Sequence, residues 1–425
     1  MRVLLVTPVK EGSGETITAL HMAENLTSSG HSVLFLASPF ARSFIGSHFP
    51  DQVWELGEDG NMNRSLWDTA IADFQPEAVV FADYPLMFAP GGCSPLVEEP
   101  GWEESLEELN ACLVTLDHFG FAQREMSLYL GPPHLTFYYY KFPAIPERMH
   151  IMLPCPMNEP GPVSGRRGEP FRYWQVPFSI PEAACREVRA RYLDHDEDFL
   201  VFHSVSNWAW RHADVFELPF YRFLPKILDE YFGALPRRVT IVSVNNGSLL
   251  EPQPDARVRI INLPPIPKTE FEGLLFGSDL VITENKVSIS MGKAICGFQP
   301  CAVFKNSYRL MELTKQLEGS LREVVVGMEG IRLGSVFPYE VYPSLVRQDL
   351  ENIGLYRENS LTKGFWELEI YGDGETRNVL HRIMTDPCFV EELCLRQQAY
   401  VGTLKGLGDS AQVLSSLVQK ERRTH

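Results

Sequence analysis

The sequence has no run of apolar residues long enough to cross a membrane. A spanning helix needs roughly 20 such residues in succession, and the apolar start at Met1–Thr7 is too brief for a secretion signal. The eight cysteines are scattered and form no C-x-x-C pair, so neither a disulfide framework nor a zinc site is indicated. We therefore expect a cytoplasmic protein without a membrane partner or a bound metal.

Positive charge is also scarce. The chain has 38 Lys and Arg against 55 Asp and Glu, which gives a formal net charge of −17. A field of that sign repels phosphate backbones and anionic lipids, so we expect no nucleic-acid partner. A small anionic ligand is still allowed, because a helix N-terminus and a few local cations can hold a diphosphate.

The length and the periodicity of the sequence indicate two α/β domains. The 425 residues exceed what one hydrophobic core organises, since single cores stop growing near about 250 to 300 residues. Short apolar runs alternate with helix-length segments in both halves, which favours doubly wound, Rossmann-like parallel sheets. We predict a first domain over 1–155, a linker over 156–178, a second domain over 179–385, and C-terminal helices over 386–425 that cross back to the first domain.

A glycine-rich loop follows the first predicted strand. In open parallel sheets, ligands bind beyond the carboxyl ends of the strands. Gly12 and Gly14 stand there and lead directly into a helix, where the backbone offers free N–H groups to an anion. The loop is not a full G-x-G-x-x-G and lacks the G-K-[ST] ending of a P-loop. We predict that both glycines contact a ligand.

The segment from Gly12 to Leu36 reads G-x-G-(acid or His)-x-x-x-A-L-x-x-A-x-x-L-x-x-x-G-H-x-V-x-F-L and is similar to the opening of GT-B glycosyltransferases. The resemblance implies GT-B architecture, with two Rossmann-like domains facing across a cleft. Many members have a histidine at the position of Glu15, where it deprotonates the acceptor hydroxyl. A carboxylate can do the same if burial keeps its pKa near the working pH. The alternative for Glu15 is an exposed acid favoured by the helix dipole.

Asp117 and His118 directly follow a second apolar run of the same half. In several GT-B families, an Asp in a comparable loop orients the catalytic group. The resemblance thus implies that this pair completes an acid/base dyad with Glu15, and His118 is the alternative base because its unperturbed pKa lies near 6.5. The other interpretation of Asp117 is an ordinary loop residue that caps the next turn.

The strongest resemblance lies between Arg257 and Asn306. The segment Ser278–Thr283 is similar to the A-D-L-V-I strand of GT-B donor domains, and the loop and helix after it match the family's donor diphosphate site. The implied donor-binding residues are Asn285, Lys286, Ser288, Ile289 and Ser290. Backbone N–H groups at a helix start and a nearby lysine independently favour an anion. The alternative is that Ser288 only caps the helix.

Two further places complete the expected donor site. Ser204 and Ser206 follow an apolar run whose loop, in the family, lies near the donor phosphates. Late carboxylates of GT-B donor domains bind ribose hydroxyls, which makes Glu369, or else Glu367, the implied counterpart. A solvated acidic cluster is the alternative for these two residues.

These features predict a metal-independent glycosyltransferase of the hexosyltransferase type. It would move a sugar from a UDP or dTDP donor to a hydroxyl, or an amine, of a small-molecule acceptor in natural-product biosynthesis. A single base on the acceptor predicts inversion at the anomeric carbon. We expect no cofactor other than the nucleotide sugar as co-substrate. Formation of a homodimer is left open by the sequence.

Two alternatives remain at this point. Nucleotide-sugar 2-epimerases share the architecture but need no acceptor cleft, and the aromatic run Phe137–Tyr140 resembles an acceptor wall, which favours transfer. A non-catalytic binding or activator protein is favoured by Glu15 in place of histidine. It is also favoured by Gly292 and Lys293, which stand where GlcNAc transferases of cell-wall lipid synthesis have a donor-binding glutamate.

Overall fold

The computed structural model describes residues 1–8, 13–57, 59–88, 96, 101–117, 127–129, 139–141, 145–156, 171–174, 182–206, 209–210, 220–251, 256–286, 288–306, 321–322, 326 and 360–424. Within these ranges, helices cover two parallel sheets, one in each half of the chain.

The described part of the first half has nine strands, and helices separate most of the early ones. In chain order they are β1 (Arg2–Thr7), β2 (Ser32–Ala37), β3 (Val53–Glu55), β4 (Ala78–Phe81), β5 (Cys112–Leu116), β6 (Ser127–Tyr129), β7 (Tyr139–Lys141), β8 (His150–Cys155) and β9 (Phe171–Trp174). Seven of them form a parallel sheet in the order β3-β2-β1-β4-β5-β8-β9, and β6 pairs antiparallel with β7. The edge strand β9 lies within the segment 156–178 that the sequence predicts as a linker.

Helices cover both faces of this sheet, which explains why its central strands are almost entirely apolar. The helices are α1 (Ser13–Ser28), α2 (Pro39–Ile45), α3 (Gly60–Thr69) and α4 (Trp102–Glu107). Val3 and Leu5 pack into the core on the side of α1, whereas Leu4 and Val6 pack on the side of α3 and α4. This alternation follows from the period of two along a strand.

The second half repeats the architecture. Its strands are β10 (Phe199–Ser204), β11 (Val239–Val244), β12 (Val258–Leu263), β13 (Leu280–Thr283), β14 (Cys301–Lys305) and β15 (Trp366–Glu369). They form a parallel sheet in the order β12-β11-β10-β13-β14-β15. The strand order therefore reverses beside β10, as it reverses beside β1 in the first sheet. The predicted α/β fold with two doubly wound, Rossmann-like sheets is confirmed.

The helices of the second half include a close pair. They are α5 (Glu182–Tyr192), α6 (Phe220–Phe232), α7 (Lys268–Gly277), α8 (Ile289–Cys296), α9 (Asp373–Thr385), α10 (Pro387–Leu404) and α11 (Ser410–Thr424). Two glycines of α7 allow its approach to α5. A methyl group at Gly273 would lie 2.9 Å from Val188 Cγ2, and one at Gly277 would lie 3.0 Å from the Cys185 carbonyl oxygen. Larger residues would push the two helices apart.

The last helix packs on the first sheet. The apolar side chains of α11, including Leu414 and Leu417, are buried in the same core as Val3 and Leu5. At its start, Asn25 Nδ2 donates a hydrogen bond of 3.2 Å to Ser410 Oγ. None of the described helices is long and apolar enough to cross a membrane.

We predict that α11 contributes substantially to stability. Leu414 is fully buried, so Leu414→Ala should lower the free energy of unfolding by about 2–5 kcal/mol through lost burial and a cavity. Leu395→Ala is the matched control, since Leu395 lies on α10 and is 58% exposed. Urea denaturation followed by circular dichroism measures both changes. Equal effects of the two substitutions would contradict the packing of α11.

Candidate functional site

The loops after β10 and β13 are joined by side-chain hydrogen bonds. Ser204 Oγ donates to Ser290 Oγ at 3.3 Å, and Asn285 Nδ2 donates to Ser206 Oγ at 2.8 Å. Because β10 and β13 are the neighbouring strands at which the order reverses, their loops leave the sheet on opposite faces and open a crevice between them. The structure thus brings four of the predicted donor-binding residues together.

The N-terminus of α8 lies in this crevice. Ser288 is the N-cap, and its Oγ accepts a hydrogen bond of 3.1 Å from the Ser290 backbone N–H. The capping role considered for Ser288 is therefore present. One hydroxyl satisfies one of the N–H groups at a helix start, where several lack partners within the helix. The first turn, which begins at Ile289, can still favour an anion through its dipole.

Lys286 lies in an ion cluster at the carboxyl ends of β14 and β15. It pairs with Glu367, and Lys305 Nζ lies 2.9 Å from Glu367 and 3.6 Å from Glu369. Burial alone would raise the pKa of Glu367, but hydrogen bonds and charge from the two lysines outweigh it, so this pKa is lowered. A phosphate that binds Lys286 must therefore compete with a carboxylate that is ionised.

Glu15 is buried in the first turn of α1. Its exposed fraction is 8%. Burial raises the pKa of its carboxyl, and a hydrogen bond from its own backbone N–H offsets this only in part. The alternative of an exposed acid is therefore wrong. A carboxyl in such a place holds its proton more readily than an exposed one and can exchange it closer to neutral pH.

The N-termini of α1 and α8 meet. A methyl group added at Gly14 would lie 3.5 Å from Ile289 Cδ1, which is ordinary van der Waals contact. Glu15 is the next residue along α1, so the predicted base lies beside the helix start that belongs to the predicted anion site. The starts of these two helices, one from each half of the chain, are therefore neighbours.

The remaining predicted residues of the first half are Asp117, His118 and Gly12. Asp117 is buried just after β5, where its backbone N–H donates a hydrogen bond of 3.0 Å to the Met152 carbonyl oxygen. Its strand is two positions from β1 in the sheet. His118 and Gly12 lie outside the described residues. The dyad of Glu15 with Asp117 or His118 thus stays a prediction.

A buried polar network beneath the crevice was not predicted from the sequence. His203 Nε2 lies 2.7 Å from Glu284 Oε1, His203 Nδ1 lies 2.9 Å from Ser243 Oγ, and both side chains of the His–Glu pair are at most 2% exposed. A ring that donates from Nε2 and accepts at Nδ1 satisfies every group, since Ser243 Oγ also accepts from Asn245 Nδ2 at 2.8 Å. The network fixes the ends of β10, β11 and β13.

His21 is a second residue whose role was not predicted. It lies on the buried side of α1, and neither of its ring nitrogens has a hydrogen-bond partner among the described residues. Burial lowers its pKa well below the ordinary value, and the positive charges of Lys293 and Lys268 and the nearby His48 lower it further. Lys268 Nζ also lies 2.6 Å from Glu24 of α1. The two halves therefore meet through a charged contact next to a neutral imidazole.

The comparisons with known proteins agree with this architecture. A model of a family of unknown function, DUF6365, matches residues 22–422. No curated protein matches the chain. Among solved structures, spinosyn forosaminyltransferase SpnP is 14% identical with a TM-score of 0.55, each chain being covered to 99%.

Two other solved structures are similar over nearly the whole chain. Glycosyltransferase VinC, solved in complex with dTDP, is 14% identical with a TM-score of 0.53 and full coverage of both chains. Spinosyn rhamnosyltransferase SpnG is 14% identical with a TM-score of 0.51, covering 98% of this chain and 99% of its own. SpnG has also been solved with thymidine diphosphate and with spinosyn aglycone. The chain has the GT-B fold, which confirms the resemblance found in the sequence.

The His203–Glu284 pair should behave as one energetic unit. His203→Phe leaves a buried carboxylate without its partner and should cost about 3–5 kcal/mol of unfolding free energy. The double variant with Glu284→Leu should lose clearly less than the sum of the two single losses. A double-mutant cycle by urea denaturation measures this coupling. Additivity within about 0.5 kcal/mol would show that the two side chains do not support each other.

His21 should make stability depend on pH in a defined window. The unfolded state takes up a proton near pH 6.5, whereas the folded state, whose His21 pKa is lowered, does not. Above that pH, protonation of His21 does not affect stability. Below it, the free energy of unfolding should fall by up to about 1.4 kcal/mol per pH unit. In His21→Phe, the difference between the free energies of unfolding at pH 7.5 and at pH 5 should be smaller than in the parent protein. The control is His381→Phe, at an exposed site, and an unchanged slope in His21→Phe would refute the assignment.

Proposed function

The chain belongs to DUF6365, a family of unknown function, and we propose that it is a glycosyltransferase that uses a nucleoside diphosphate sugar. The observation that supports this most is the proximity of Gly14 to Ile289, since a methyl group added at Gly14 would lie 3.5 Å from Ile289 Cδ1, and Glu15 follows Gly14 in the first turn of α1. A proton acceptor next to an anion site is what transfer from a diphosphate donor requires. The fold shared with SpnP, VinC and SpnG supports the same reaction class.

The donor diphosphate would bind at the start of α8. Backbone N–H groups of its first turn and the hydroxyls of Ser204 and Ser290 are hydrogen-bond donors already fixed in place. Lys286 would exchange Glu367 for a phosphate oxygen and supply a charge-assisted bond. These groups stabilise the leaving diphosphate, so the scheme needs no metal. VinC and SpnG were solved with dTDP, which supports a dTDP donor ahead of a UDP donor.

Glu15 would act as the base. As the acceptor oxygen bonds to the anomeric carbon, its proton passes to the Glu15 carboxylate and the bond from that carbon to the diphosphate breaks. Attack from the face opposite the leaving group inverts the configuration at this carbon. The raised pKa of Glu15 suits this role, since a base works best when its pKa lies near the operating pH.

The acceptor would enter from the first domain. SpnG has been solved with spinosyn aglycone, which supports a small-molecule natural product as the acceptor class, with a hydroxyl, or an amine, as the attacking group. The formal net charge of −17 favours an uncharged or cationic acceptor, because an anionic surface attracts such molecules more than it attracts anions.

Substitution of Glu15 tests the proposal. A panel of dTDP, UDP and GDP sugars should show a rise in Tm for one nucleotide class. Glu15→Gln should keep this rise, because the donor site is intact, while donor turnover falls by about 10²–10⁴-fold with the base removed. Glu182→Gln is the matched control, since Glu182 also lies in the first turn of a helix but is 84% exposed.

The pH profile gives a second readout of the same variant. In the parent protein, kcat/KM should rise with pH through the raised pKa of Glu15, at a pH above that of an ordinary glutamate. Residual activity of Glu15→Gln should lack this limb. Stabilisation by no nucleotide sugar would refute the transferase, whereas full turnover in Glu15→Gln would refute only the assignment of the base.

A further inference from the structure

Three metal-ligating side chains meet at the edge of the first sheet that lies opposite the cleft. Cys112 is the first residue of β5, and His150 is the first residue of β8. The register pairs His150 with Val114, so Cys112, two residues before Val114, lies on the same face of the sheet as His150. Glu421 approaches from α11, which packs against β5. The cluster therefore joins three segments distant in the sequence.

The geometry of the cluster fits a small divalent cation. Its ligand atoms, Cys112 Sγ, a His150 ring nitrogen and a Glu421 carboxylate oxygen, all lie within 4.8 Å of one another. His150 Nε2 lies 4.0 Å from Glu421 Oε2. Ligand atoms around a tetrahedral zinc ion are separated by roughly 3.3–3.6 Å, given bond lengths of about 2.0–2.3 Å. Inward shifts of about 1 Å, shared among the three side chains, would complete the coordination.

The chemistry of the three groups selects zinc. Sulfur, imidazole and carboxylate ligands are a set that Zn²⁺ accepts, whereas Mg²⁺ and Ca²⁺ prefer oxygen alone. A thiolate and a carboxylate together neutralise the ion, which limits the cost of placing it beside the buried Cys112. The side chains of His150 and Glu421 are 31% and 18% exposed, so a water molecule can reach the fourth position.

Two cationic side chains lie near the cluster. Arg148 is the cation near Cys112, and it donates to the backbone carbonyl oxygens of Leu106, Glu107, Leu109 and Ala111 at 2.6–3.1 Å. Its position is thus fixed by the backbone. Burial, and next the hydrogen bond and charge of Glu421, raise the pKa of the Cys112 thiol, and the charge of Arg148 offsets this only in part. Lys420 is the other cation near His150.

We propose that Cys112, His150 and Glu421 form a zinc site that fastens α11 to the first sheet. The site is independent of the proposed transfer reaction, because it lies at the amino ends of the strands and the cleft lies at their carboxyl ends. Bound zinc would link the last turns of the chain to β5 and β8, in addition to the apolar packing of Leu414 and Leu417.

Zinc binding to the full chain tests the site. After dialysis against a chelator, the parent protein should bind one equivalent of Zn²⁺ and show a higher Tm. Cys112→Ser and Glu421→Gln should each lose this equivalent and the rise in Tm. Glu421 lies near the end of α11 and is partly exposed, so Glu421→Gln is expected to fold even if Cys112→Ser does not. Cys388→Ser, at an exposed cysteine outside the cluster, should bind as the parent does.

Cobalt distinguishes direct ligation from an indirect effect. Co²⁺ bound in place of zinc should give a thiolate-to-metal absorption band that Cys388→Ser retains and Cys112→Ser lacks. Absence of a stoichiometric equivalent in the parent, or its retention in both Cys112→Ser and Glu421→Gln, would overturn the proposal. The cluster would then be a hydrogen-bonded ion pair beside a thiol.

Discussion

The reversal of strand order in each sheet is the constraint on which the candidate site depends. Beside β1 and beside β10, successive connections pass to opposite faces, so the loops diverge and leave a crevice at the carboxyl ends. The N-termini of α1 and α8 point into these two crevices. A methyl group added at Gly14 would lie 3.5 Å from Ile289 Cδ1, so the starts of α1 and α8 are neighbours.

The lysines near this contact are each paired with a glutamate, although the protein as a whole has a strongly negative charge. Lys268 is paired with Glu24 across the halves, and Lys293 is paired with Glu272 at 2.8 Å. Both lysines lie near His21, which burial keeps neutral. At the mouth of the second crevice, Lys286 is held by Glu367. These three lysines are therefore each paired with a carboxylate.

The sequence predicts the fold because alternating segments depend on local patterns, and the convergence of the donor loops is implied by the resemblance to GT-B donor domains. Alternating apolar and helical segments indicate parallel sheets, and a polar loop between a strand and a glycine-ended helix indicates a helix N-terminus. The His203–Glu284 pair could not be predicted this way, since the residues are adjacent only once β10 and β13 are known to be neighbours. With that order, the register pairs His203 with Ile282, and the period of two places Glu284 on the same face.

Other features depend on tertiary context in the same way. The burial of Glu15 arises from tertiary packing, which no pattern within α1 indicates. β9 is a short edge strand in a segment rich in proline and glycine, so its sequence has no strand pattern strong enough to predict it. The Cys112–His150–Glu421 cluster needs three distant segments, and the spacing of cysteines along the chain indicates nothing of it.

The most direct test of the central claim is hydrogen–deuterium exchange of the full chain with and without dTDP. If the nucleotide binds where the second sheet reverses its order, amides after β10 and in the first turn of α8 should become protected, while those at the start of β5 and in α11 should not. Protection elsewhere without protection at Ser204–Ser206 and Ser288–Ser290 would contradict the account.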